Sequence, residues 1–242
     1  MSRARLLILC ARTARSVAYL QGLAAAGIEP EAVIVYGQGG GPLQTTRELQ
    51  VQSLAGLFCP DLSQDLDTCL AALDWPHEVS PAQALDDPQL LTLITRQAPD
   101  LVVYSGYGGQ LVPAALLSRY PVLHIHSGWL PDYRGSTTLY YQIIEQRECA
   151  ASALLLDEQI DTGPVLARKA YPLPPPGMDV DYLYDNAIRA DLLVEVLGHW
   201  RREGERALRP LPAEAEKPPY FIIHPLLKHL ALLAADKHED AP

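Results

Sequence analysis

Three short, almost wholly apolar blocks, RLLILC at 5–10, AVIVY at 32–36 and LVVY at 101–104, most constrain what this chain can become. A strand with no polar side to show to water must be covered on both faces, as in a parallel sheet flanked by helices. The intervening segments fit. TARSVAYLQGLAAA at 13–26 reads as a helix closed by Gly27, so the chain opens β-α-β with a right-handed crossover. The second half of 81–97, after Pro88, reads as helix, as do 114–119 and 136–147, the last opened by Ser136. Strands are expected at 121–126, then at 151–156 and 164–170 around the loop DEQIDTG. A stiff PLPPPG linker at 172–177 precedes an amphipathic helix at about 179–202. The pattern predicts an α/β, Rossmann-like, mostly parallel sheet with a small C-terminal extension. The core takes residues 1–177 and the helical extension residues 178–242, packed on that core. Residues 37–60 read as a flexible flap. Their GQGGG run lacks the GK[ST] of a phosphate loop and follows the second strand instead of the first.

Composition narrows the classes of function. The formal net charge of −10 argues against a grip on a long polyanion, so nucleic acid is not expected as a partner. No run of eighteen apolar residues exists, so no membrane span is expected. The opening MSRARLLILCARTARS has a short apolar part and basic residues again at Arg12 and Arg15, which suits a first buried strand of a cytoplasmic protein. Cys10, Cys59, Cys69 and Cys149 form no CxxC pair and read as free thiols. The apolar tail YFIIHPLLKHLALLA suits either a cover for the core or a homodimer surface.

The chemistry gathers in HIHSGWLPDYRG at 124–135. Residues two apart on a strand point to one face, so His124 and His126 face the same way where the strand stops. In open parallel sheets, ligands sit beyond the carboxyl ends of the strands, where SGYGGQ and HIHSGWLP fall, with YGQGGG a third candidate. The pair has three readings. It packs against the sheet and bonds to backbone. It holds a metal with a third ligand from Asp161, His224 or Asp132, a sparse signal that leaves no metal assigned. Or it performs acid–base work, one histidine taking a proton, a neighbouring donor holding an oxyanion and Asp161 orienting the base.

HxxxLPxYRG (His126, Leu130, Pro131, Tyr133, Arg134, Gly135) followed by LDEQIDTGPVL at 156–166 resembles the N10-formyltetrahydrofolate-dependent formyltransferases. The motifs are clear from about 99 to 172, with a looser match from residue 5. The resemblance implies N10-formyltetrahydrofolate as formyl donor and a primary amine as acceptor. By position it makes His126 the catalytic histidine and Asp161 the catalytic aspartate. The family's asparagine two residues earlier is here His124, and its serine two residues later is Gly128. His124 is then the oxyanion donor, with a pH sensitivity at about pH 6–7 that an amide lacks. The donor's pterin is expected between Tyr107, Gly108, Gln110 and Leu111 on one side and Asp157 and Ile160 on the other. Arg134, Tyr140, Tyr182 and Arg189 are candidates for the acceptor. Tyr182, Asn186 and Arg189 fall at i, i+4 and i+7 of one helix; Arg134 equally suits a role in fixing its own turn. The tRNA-directed members carry a further C-terminal barrel for which the residues after about 205 are too few. The first βα turn, CARTAR, lacks the phosphate features of the glycinamide ribonucleotide enzymes. The expected acceptor is therefore an amino sugar, free or nucleotide-linked, as in surface-polysaccharide or nonulosonic (pseudaminic) acid synthesis. Two other classes compete: a metal-dependent hydrolase or deacylase, which chelators would inhibit, and a folate- or sugar-binding module without turnover.

Overall fold

The computed structural model describes residues 4–37, 54, 56–215 and 217–236. The GQGGG run beyond Gly37 and the last residues of the tail lie outside them. A seven-stranded sheet organises the chain, in the order β3-β2-β1-β4-β5-β6-β7. Its strands are β1 (Leu6–Ala11), β2 (Ala32–Tyr36), β3 (His77–Val79), β4 (Leu101–Ser105), β5 (Val122–Ser127), β6 (Cys149–Leu155) and β7 (Val165–Tyr171). The first five run parallel, while β6 pairs antiparallel with both β5 and β7. The helices are α1 (Ala14–Ala25), α2 (Leu66–Leu73), α3 (Pro88–Gln97), α4 (Ala114–Leu117), α5 (Thr138–Gln146), α6 (Asp185–Glu203) and α7 (Pro225–Asp236). The α/β, mostly parallel sheet is as expected.

Strand alternation explains the apolar blocks. Leu6, Ile8 and Cys10 enter one buried cluster with α1 and α6, whereas Leu7, Leu9 and Ala11 enter a second with α3. Both faces of β1 are thus dry, and no residue in it is polar. On the first face α6 lies along α1, where Gly22 brings the backbones close enough that an added Cβ would stand 3.5 Å from Ala190 Cβ. On the second face β5 contributes Val122, after which His124 and His126 take the places where apolar side chains would continue. The cover ends there, and the sheet opens to a cavity.

Two elements lie where no regular structure was assigned. Helix α2 starts from Asp65, whose carboxylate accepts from Thr68 N at 2.7 Å. Strand β3 is a three-residue edge whose His77 and Val79 are exposed. Helix α5 begins two residues later than the Ser136 start implied, at Thr138. Before α6 comes one π-helical turn, Val180–Tyr184, opened by Asp179, which accepts from Tyr182 N at 3.0 Å.

Candidate active site

A cavity of about 500 Å3 lies over the carboxyl ends of β4 and β5. Its wall includes His124, His126 and Asp161; Tyr107, Gly108, Gln110 and Leu111; Asp157 and Ile160; and Tyr140 and Arg189. Segments distant in sequence therefore share one space.

His126 is 5% exposed and has protein partners at both ring nitrogens. Nε2 donates to the Tyr133 carbonyl at 2.7 Å and lies 3.2 Å from Thr138 Oγ1. A carbonyl only accepts, so the proton at Nε2 is fixed. Nδ1 then faces Asp161 Oδ2 at 3.4 Å. Burial by itself would raise the Asp161 pKa. The facing His126, with help from His124 and the Gly135 N–H, instead holds it down to about 2. Asp161 is set by backbone geometry: its φ of 53° places it in the left-handed region, within the turn of the β6–β7 hairpin. Gly135 N donates to the same Oδ2 at 3.1 Å.

The turn after His126 depends on glycine. Gly128 has a φ of 117°, and a Cβ there would approach Tyr133 Cβ to 3.0 Å and the Tyr133 carbonyl oxygen to 3.1 Å. That carbonyl is the partner of His126, so a serine at 128 would press on the histidine ring's own anchor. Gly135, with a φ of 108°, has the Tyr220 carbonyl where a Cβ would stand, at 2.3 Å.

His124 is half-buried, its Nδ1 3.4 Å from the Tyr104 carbonyl and its ring tilted against Tyr104. Burial, followed by the cations of Arg15 and Arg189, pushes its pKa down to about 3. This corrects the expected titration at about pH 6–7. The imidazole is neutral throughout that range.

On the other side, Gln110 is fixed by Tyr36, whose hydroxyl donates to its Oε1 at 2.7 Å. Gly108 and Gly109 have open space where side chains would be. Asp157 closes its own loop, accepting from Gln159 N at 3.0 Å and Thr162 Oγ1 at 2.7 Å. Two expected acceptor residues lie off the cavity wall. Arg134 Nε donates to the Ile160 carbonyl at 2.7 Å, tying the 129–135 turn to the loop that carries Asp161. The Tyr182 hydroxyl donates to the Leu62 carbonyl at 2.9 Å. Arg189 reaches the wall, but its guanidinium serves Asp185 at 3.0 Å and the Ile125 carbonyl at 3.1 Å. The Tyr140 hydroxyl donates to Asp181 Oδ1 at 2.5 Å. The other suggested metal ligands are engaged elsewhere: Asp132 pairs with Lys217 at 2.6 Å, and His224 Nδ1 accepts from Leu226 N at 3.2 Å. Among the described residues, no group of three His, Cys, Asp or Glu is placed to hold a metal ion. Nor is any described helix long and apolar enough to cross a membrane.

Sequence reasoning missed Arg15, Tyr104, Ser127, Thr138, Asp181 and Asp185 on the wall. Only Asp185 had a legible signal, its i, i+4 spacing to Arg189.

Residues 5–194 match the Formyl transferase family model. The chain belongs to the formyl transferase family. A methionyl-tRNA formyltransferase from Trichlorobacter lovleyi is 34% identical over 146 residues, covering 58% of this chain and 44% of that relative. The chain thus spans about half the length of the relatives it matches. Among solved structures, a sugar N-formyltransferase from Shewanella sp. superposes with a TM-score of 0.59 at 18% identity, covering 99% of this chain and 91% of that one. A phosphoribosylglycinamide formyltransferase from Anaplasma phagocytophilum gives a TM-score of 0.59 at 12% identity, covering 84% of this chain and 89% of that one. At these identities the likeness is one of fold.

Proposed function

We propose that this chain moves a formyl group from N10-formyltetrahydrofolate to the amine of an amino sugar. The observation that carries the reading is the His126–Asp161 pair, sharing one cavity with the 106–112 loop. That loop suits a flat heterocycle: open space at Gly108 and Gly109, a Gln110 carboxamide held by Tyr36, and Leu111 exposed at the rim. Tyr107, Gly108, Gln110 and Leu111 would hold the pterin from one side, and Asp157 and Ile160 from the other. Bound there, the donor supplies the formyl carbon that the amine attacks.

The remaining work falls to the chain's own residues. His126 and Asp161 take up the amine proton along their Nδ1–Oδ2 edge and return one to the leaving nitrogen. His124, neutral at pH 7, donates a ring N–H to the formyl oxygen in place of the family's amide, exchanging its long bond to Tyr104 for a better acceptor. A small acceptor is favoured by the segment 220–228, which folds back over the site. Ile222 lines the cavity, Ile223 N donates to Thr137 Oγ1 at 2.8 Å, and Lys228 pairs with Asp181. The net charge of −10 also suits a small acceptor better than an RNA.

Two measurements test the reading. Calorimetry with 5-formyltetrahydrofolate should give saturable one-site binding; none, with the fold intact, defeats the donor assignment. With an amino sugar found by its mass gain of one formyl group, Asp161→Asn should lower turnover roughly 10²–10⁴-fold. Near-normal turnover in the folded variant would remove Asp161 from the mechanism.

A further inference from the structure

Helix α7 is apolar on two sides. Its only polar side chains are Lys228, His229 and Asp236, and Lys228 reaches back to Asp181 and the Tyr140 ring. The side against the protein is built from small residues: Ala231 and Ala235 are buried, with Leu232 half-buried beside them. The bulky residues point the other way. Leu226, Leu230 and Leu233 recur at i, i+4 and i+7, so they form one stripe, and all three are exposed, Leu226 to 61%. Leu227 flanks the stripe, and Phe221 and Ile222 precede it at 84% and 78% exposed. This inverts the common arrangement, in which large apolar side chains face the core. The tail thus covers the core with one face and leaves a second apolar face in water.

Area, charge and spacing say what fits there. At roughly 200 Å² for a fully exposed residue of this size, the six leave on the order of 700 Å² in water. The largest apolar patch on a typical monomer is roughly 300–600 Å², and one side of a standard protein interface is roughly 800 Å². A lipid surface is a poor match, because helices that lie on membranes flank the apolar stripe with Lys and Arg, whereas the one lysine of α7 is engaged by Asp181. A second copy of the chain matches better. The spacing of four, then three, about Leu230 reads nearly the same backwards. Two stripes laid antiparallel about a two-fold axis at Leu230 therefore set Leu226 against the partner's Leu233. No carboxylate occurs in α7 before Asp236, and the net charge of −10 carried elsewhere is screened beyond about 8 Å at physiological salt.

We propose that α7 is the contact of a homodimer, its stripe of Leu226, Leu230 and Leu233 packed antiparallel on the same stripe of a second copy. The contact is independent of the reaction assigned to the cavity. It bears on the site through the chain just ahead of the helix, where Ile222 lines the cavity and Ile223 N is fixed to Thr137. Pairing holds α7 in place and so braces the segment that completes the cavity wall. Because the two helices run in opposite directions, the two cavities lie toward opposite ends of the pair.

Sedimentation equilibrium of the full chain at neutral pH and physiological salt tests it. The wild type should sediment at twice the monomer mass and dissociate on dilution. Leu230→Glu should raise the dissociation constant at least tenfold with the circular dichroism unchanged, since the side chain it replaces is already in water. Leu226→Glu should do the same. Leu226→Glu combined with Leu233→Lys should restore the dimer, because antiparallel pairing sets each glutamate beside a lysine, whereas parallel pairing would set glutamate against glutamate. That rescue also shows that the single variant folds. A wild type that stays monomeric at high micromolar concentration overturns the proposal, and so does a dimer that Leu230→Glu leaves unchanged. A dimer lost in the single variants and not regained in the pair overturns the antiparallel arrangement. A monomeric wild type that co-sediments with vesicles of phosphatidylcholine and phosphatidylglycerol would give the face to a lipid surface instead.

Discussion

On the proposed reading His124 does the work of an amide, and its surroundings explain how an imidazole can do so. An amide never takes a charge, and the burial and flanking cations of His124 impose the same restriction by holding its pKa to about 3. His124→Asn should therefore keep turnover within an order of magnitude, while His124→Ala loses roughly 10²–10³-fold with the oxyanion donor gone. Stability carries a second signature. Because the folded pKa lies below the unfolded value of about 6.5, the unfolded chain binds the extra proton first as pH falls. The His124 contribution is fully present above about pH 6.5 and declines toward pH 3, at no more than about 1.4 kcal/mol per pH unit. Urea midpoints measured across that range should slope in the wild type and flatten in His124→Asn. Parallel curves would show that the imidazole is more open to water than its contacts imply. Asp161, depressed to about 2, adds its own loss only below the ordinary carboxylate range.

At the scale of elements, α6 and β5 are joined by one side chain. Arg189 leaves α6 to bond the Ile125 carbonyl while holding Asp185, which in turn accepts from Ser127 at the end of β5. Arg189→Ala would leave the half-buried Asp185 carboxylate without its cation, so a loss of about 1–3 kcal/mol is expected in denaturant unfolding. Replacing Asp185 and Arg189 together with Leu and Met should recover part of that, since neither member of the pair is left without the other. The sequence discloses some elements and hides others for identifiable reasons. LLILCA, AVIVY and LVVY are legible because both faces of each strand are buried, leaving no charged position to blur the pattern. HEV at 77–79 is illegible because an edge strand of three residues with two exposed side chains has no periodicity to detect. The histidine motif and the DTG turn could be read as a pair, being short and individually distinctive. Arg15 could not. Its place on the cavity wall comes with an approach to Gly106 across 91 positions, and nothing local in CARTAR marks it.

Considered whole, the molecule closes its site with a segment remote from the residues that do the chemistry. Tyr220 stacks on Tyr133 at 5.9 Å and meets Tyr141 at 4.3 Å, and the backbone of Tyr220 bridges to Gly135. Helix α7 then sets Lys228 Nζ 5.0 Å from the centre of the Tyr140 ring, paired with Asp181. Lys228→Ala should loosen this wall. Steady-state kinetics should show a higher KM for the acceptor with kcat little changed, and affinity for 5-formyltetrahydrofolate should stay the same. A fall in kcat alone would move Lys228 from the mouth to the chemistry. The return of the chain also imposes an order on biosynthesis. Arg15 lies near one end of the sequence that surrounds the cavity and Ile222 near the other, with the two histidines between them. A ribosome making this protein translates both histidines and Asp161 well before the residues that close the wall, so an unfinished chain carries the reactive groups without an enclosed space in which to use them.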